Sequence, residues 1–77
     1  MTFASGIKDV RERCLLSQGA FAEKLGVAFS TVNRWEKGKA VPNYIKMQQI
    51  AKFCEEHGIE YQELNDAWKE SRNADTH

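Results

Sequence analysis

The sequence predicts an all-α domain built from five short helices. Three observations carry that prediction. Apolar residues recur at three- and four-residue spacing in successive segments, such as Ile7, Val10 and Cys14 near the start and Tyr61, Leu64 and Trp68 near the end, which is the period of a helix with one buried face. Glycine stands where two of those segments stop, at Gly26 and Gly58, and only glycine adopts the left-handed conformation of a helix end without steric cost. The 77 residues, 42% hydrophobic and 29% charged, suit one globular domain over residues 1–77. They are too few for a core plus an enzyme cleft of ordinary size.

The first helix is expected over roughly Ser5 to Cys14, with Ile7, Val10 and Cys14 as its core stripe. Ser17 is a good N-cap for the second helix, but Ala20 gives only half of a capping box and Gly19 weakens the first turn. In that helix Phe21 and Leu25 share a face, and the small Ala22 beside them lets another helix approach closely. Gly26 ends the helix and Val27 buries the turn. The third helix runs from about Ala28 to Lys37, with Ala28, Val32 and Trp35 on its inner side. Phe29, Ser30, Asn33, Arg34 and Lys37 fill an arc of roughly 140° on the other side.

Pro42 closes the Gly38 to Val41 loop. The fourth helix, about Asn43 to His57, places Tyr44, Met47, Ile50, Ala51 and Cys54 on one face and ends at Gly58. His57 falls in its last turn, where a partial positive charge suits the helix dipole and a capping role outweighs a catalytic one. Ile45 and Phe53 point away from that stripe. Either they pack under the fifth helix and the N-terminal arm, or with Trp68 they form an exposed patch for a second subunit. The fifth helix covers about Tyr61 to Ser71, and residues 71–77 read as a frayed polar tail.

The polar arc of the third helix carries side chains that can read a DNA major groove. Arg suits the acceptor edge of guanine, Asn suits adenine, Ser suits either, and an exposed Phe can touch a thymine methyl. An ordinary solvated face is the alternative. The tight glycine turn ahead of it weighs against that alternative, because short helix, glycine turn and second helix make a helix-turn-helix docking geometry.

At this point the sequence resembles the Xre/Cro/phage-repressor family of helix-turn-helix regulators, over roughly Ile7 to Leu64. The resemblance rests on Arg11, LSQ at Leu16 to Gln18, FAEKLGV at Phe21 to Val27, STVNRWEKGK at Ser30 to Lys39, and Pro42. It implies a compact five-helix, lambda-repressor-like domain whose third helix enters the major groove of double-stranded DNA. By that resemblance Phe29, Ser30 and Arg34 are base readers, joined by Asn33 from its chemistry, while Gln18, Thr31, Lys37 and Lys39 meet phosphates. The resemblance also makes Arg11 and Glu36 a structural ion pair, which accounts for an acid on a DNA-facing helix. Three positions depart from the family pattern: Ala28 lacks a capping side chain, Ala20 breaks the capping box, and Leu15 stands where the family often has glycine or a polar residue.

Formal net charge is zero, yet the charges are segregated. Lys24 to Lys52 holds six basic residues and one acid, and Phe53 to His77 holds two basic residues and seven acids. Such a bipolar domain can offer a positive face to phosphates. With no membrane-length apolar run and no secretion leader, the chain is expected in the cytoplasm. Cys14 and Cys54 read as reduced core cysteines, and with His57 and His77 they do not make a metal site. No cofactor, small-molecule effector or catalytic constellation is expected. Two function classes remain: an operator-binding transcription regulator, acting as a repressor, or a protein-binding module such as the antitoxin of a toxin–antitoxin pair, docking through Phe29, Ile45 or Phe53. A homodimer fits the first, since family members often match two half-sites one DNA turn apart.

Overall fold

The computed structural model describes residues 1–74, with side-chain surroundings through Arg72. Its elements are α1 (Phe3–Arg13), α2 (Gln18–Leu25), α3 (Phe29–Glu36), α4 (Tyr44–Glu56) and α5 (Gln62–Ala74), with no strand among the described residues. The last helix runs past the expected Ser71, and residues 75–77 of the expected tail lie outside the described residues. The first helix starts two residues before Ser5. Thr2 Oγ1 accepts from the Ser5 N–H at 3.1 Å, and Ser5 Oγ accepts from the Thr2 N–H at 3.3 Å. This is a capping box with serine in place of the usual Glu or Gln, and it carries Phe3 into the core.

Four of the five helices end in one pattern. After α2 the Val27 N–H reaches back to the Ala22 carbonyl and the Gly26 N–H to Glu23, with Gly26 at φ 69°. The same paired bonds close α3 at Gly38 (φ 72°) and α4 at Gly58 (φ 66°). They also close α1, where Leu16 bonds to Arg11 and Leu15 to Glu12. There the left-handed residue is Leu15, at φ 57° and 92% exposed. The apolar residues that follow, Leu16, Val27 and Ile59, pack against the core, as this kind of helix end favours.

The core gathers α3 onto α2 and α1, α5 onto α1, and α4 onto α2. Ile7, Phe21, Val32, Ile50 and Cys54 are fully enclosed. Gly6 leaves room for the side chain of Leu64, whose Cδ1 is 2.9 Å from where a Cβ would stand. Lys46 Nζ donates to the Leu25 carbonyl at 2.8 Å and so pins α4 to the end of α2. His57 Nδ1 lies 2.8 Å from the Phe53 carbonyl; a carbonyl only accepts, so Nδ1 carries the proton and caps the helix end.

The expected face of α4 needs correction. Phe53 is buried, edge-on to Phe21 at 5.5 Å and stacked with His57 at 4.1 Å. Its partner is α2 rather than α5, because α2 covers α4 beside the Met47, Ile50 and Cys54 stripe and widens the buried arc. Tyr44 leaves the core instead. It is exposed, edge-on to Trp68 at 4.9 Å, with the Arg72 guanidinium 4.6 Å above its ring. Trp68 is buried and donates its indole N–H to the Pro42 carbonyl at 2.7 Å. Ile45 stays exposed. Cys14 and Cys54 are both free thiols, and burial pushes Cys54 up to about 11.

Candidate nucleic-acid interface

Between α2 and α3 the chain needs only Gly26, Val27 and Ala28 to turn. Ala28 is the N-cap of α3 and forms no side-chain cap bond. It is exposed rather than on the inner side as expected, because its ψ of 152° puts it outside the helix to which that face applies. Val32 and Trp35 are buried and seat α3 on the core. Phe29, Ser30 and Arg34 are exposed on the opposite side, with Lys37 and Lys39 exposed just beyond. Thr31 and Asn33 are half-buried along the flanks. Phe29 lies near the first turn of α2, where a Cβ on Gly19 would stand 4.0 Å from its Cδ2.

A chain of polar contacts fixes this unit from behind. Arg11 of α1 holds Glu36 bidentately, Nε to Oε2 at 2.7 Å and Nη2 to Oε1 at 3.1 Å. Its third group, Nη1, donates to the Leu16 carbonyl at 2.9 Å. Gln18, the first residue of α2, donates from Nε2 to Glu36 Oε1 at 3.0 Å, and Asn33 Nδ2 donates to Gln18 Oε1 at 3.1 Å. The Glu36 side chain is only 4% exposed. Burial alone would raise its pKa, but the bonds from Arg11 and Gln18 outweigh that and hold it below the usual carboxylate range. The bond to Glu36 in turn raises Arg11, against a smaller opposing effect of burial. The Glu36 carboxylate thereby ties α1, the start of α2 and the end of α3 together, and Arg11 adds the loop after α1.

The structure thus separates the expected site residues into two groups. Phe29, Ser30, Arg34, Lys37 and Lys39 are exposed, with Thr31 half-buried beside Arg34, while Arg11, Glu36, Gln18 and Asn33 are joined in a row of hydrogen bonds. The link between Gln18 and Asn33 was not read from sequence. Its signal was present in the pairing of an amide at the start of the second helix with an amide on the third, but spacing alone does not tell a paired amide from a free one. Among the described residues no group of three or more His, Cys, Asp or Glu side chains gathers as a metal site, and His77 lies outside them.

A family model described as Helix-turn-helix matches residues 7–60. The chain belongs to the Cro/C1-type, Xre-like helix-turn-helix family. The match runs from the middle of α1 through the whole of α4 and therefore contains the brace and the exposed face together. Neither a curated protein nor a solved structure matches the chain. Membership makes this five-helix unit a DNA-binding domain of the transcription-regulator type, and the family is not one of enzymes. No described helix is long and apolar enough to cross a membrane.

Proposed function

We propose that this helix-turn-helix chain is a sequence-specific transcription regulator of the cytoplasm that represses by occupying an operator. In this reading α3 lies in the major groove with Phe29, Ser30 and Arg34 on base edges. Gln18, Thr31, Lys37 and Lys39 meet the phosphates on either side, and the free first-turn N–H groups of α2 favour the same anions. The observation that supports it most is the exposed Arg34 on the outer face of a helix whose inner face is locked by Val32, Trp35 and Glu36. Among the described residues Arg34 forms no ion pair, so its guanidinium is available.

Selection of bound fragments from random DNA tests the reading. An enriched short motif supports sequence-specific binding, and a palindromic one adds a homodimer with two half-sites. A pool that stays unenriched, or DNA-induced shifts in α5 that spare α3, would refute it.

A second reading draws on Tyr44 and Ile45, neighbouring exposed apolar residues at the start of α4. They suit contact with a protein, either a second copy or the toxin of a toxin–antitoxin pair. Phe53 is buried and drops out of that set. The two readings are compatible, and Arg34→Ala separates them by weakening binding to the selected duplex while sparing a protein complex.

A further inference from the structure

Resting on the DNA-binding reading above, we infer that Asn33 is a positioning residue for Gln18 and not a base reader. The argument starts at Glu36, whose ionised carboxylate can only accept hydrogen bonds. Gln18 must therefore turn Nε2 toward it, and the 3.0 Å bond to Oε1 does so. That choice sends Gln18 Oε1 the other way, where it meets Asn33 Nδ2 at 3.1 Å. Both ends of the Gln18 amide are thus fixed, one by α3's last residue and the other by α3's middle. One N–H of Nε2 remains for a partner from outside, and Gln18 stands at the first position of α2. An amide that is held in one orientation before binding loses less freedom on making a contact.

Asn33 fits base reading less well. It is half-buried, whereas Phe29, Ser30 and Arg34 are exposed, and a bidentate contact to adenine needs Oδ1 and the second N–H of Nδ2 turned together to one base edge, while the first N–H already holds the amide against Gln18. The two roles differ in what DNA sequence does to them. A base reader changes discrimination, whereas a residue that orients a phosphate donor changes affinity for all sequences alike. Because Gln18 is neutral, its contact releases no counterion, so the salt slope is untouched.

The test uses the full chain, a duplex selected from random DNA and a scrambled duplex of equal length. Gln18→Ala should weaken both duplexes by about tenfold. Asn33→Ala should weaken both by one common factor of about fivefold, leaving their ratio and the salt slope unchanged. The double variant should bind no more weakly than Gln18→Ala alone. In the free protein the side-chain amide resonances of Gln18 should move on Asn33→Ala, which a base-reading role does not require. A changed ratio between duplexes, or losses that simply multiply in the double variant, overturns the positioning role while leaving the DNA-binding reading in place. If the unmutated chain binds neither duplex, that reading falls and this inference with it.

Discussion

Leu15→Gly should make the domain more stable. Leu15 occupies the left-handed position that Gly26, Gly38 and Gly58 fill at the ends of three other helices, with the same pair of backbone bonds around it. Holding an L-residue there costs about 1–2 kcal/mol, because Cβ crowds the following carbonyl oxygen. Glycine removes that cost but gives the unfolded chain more freedom, an opposing effect of about 0.5–1 kcal/mol. No packing is lost, since Leu15 is 92% exposed. The balance is a gain of about 0.5–1 kcal/mol, or roughly 2–8 °C in Tm for a domain of this size. Thermal and urea unfolding followed by circular dichroism measure it. Leu15→Ala is the control, because alanine keeps the Cβ and should gain almost nothing. If Leu15→Ala stabilises as much as Leu15→Gly, the gain comes from removing exposed apolar surface, and the argument from backbone strain is wrong.

Four further outcomes follow from the interface, its brace and the start of α3. Arg11→Met and Glu36→Leu should each cost about 3–5 kcal/mol and the double variant clearly less than their sum, since each single change strands a buried charge; additive losses below about 1 kcal/mol in urea melts would make the pair an ordinary surface contact. Glu36 is held below its ordinary pKa of 4.5, so its contribution is complete above that pH and vanishes as pH falls through the lower folded value. Glu36→Gln should flatten that acid limb of the stability curve. Arg34→Ala should lose about 1–3 kcal/mol of discrimination at one base pair, whereas Lys39→Ala should weaken all duplexes and flatten the salt slope by about one unit. Titrations at several salt concentrations distinguish them, and equal weakening on every duplex would make Arg34 a backbone contact. Ala28→Ser should add about 1 kcal/mol by supplying the side-chain cap that α3 lacks, and an unchanged melting curve would show that the start of α3 needs none.

Much of this was legible in the sequence because it follows from local rules. Gly26 and Gly58 mark helix ends, Ser17 caps α2, and the apolar spacing of α3 separates Val32 and Trp35 from Arg34. What was not legible depends on neighbours in space. A helical wheel placed Phe53 off the core face of α4, and only the position of Phe21 on α2 makes that spot interior. Tyr44 sits on the predicted stripe, yet α4 begins beyond the edge of the core there, so its ring meets Trp68 and Arg72 from outside. Asn33 belongs to the polar arc by angle, but its amide is taken by Gln18 fifteen residues away in sequence. Thr2 was missed for a different reason: serine is a poor signature for the fourth position of a capping box, although its hydroxyl closes it.

The zero net charge of the chain then has a spatial resolution. α5 packs on α1, and α1 in turn on α3. Glu60 and Glu63 border a groove shared with Asp9 and Arg13 of α1, whereas Arg34 borders a cleft with Thr31 and Lys46. Glu60 and Glu63 therefore border a different groove from Arg34 and Lys46, while Glu23 and Glu56 share one with Lys24 and Lys52. At physiological ionic strength the Debye length is about 8 Å, so a phosphate at α3 responds mainly to the charges beside it. Long-range attraction to the polyanion is weak for such a domain, and few cations contribute to the counterion effect that drives non-specific binding. Recognition must then depend on the orientation of a small number of side chains. In the proposed DNA complex, the brace of Arg11, Glu36 and Gln18 under α3 is then as consequential for binding as the exposed residues above it.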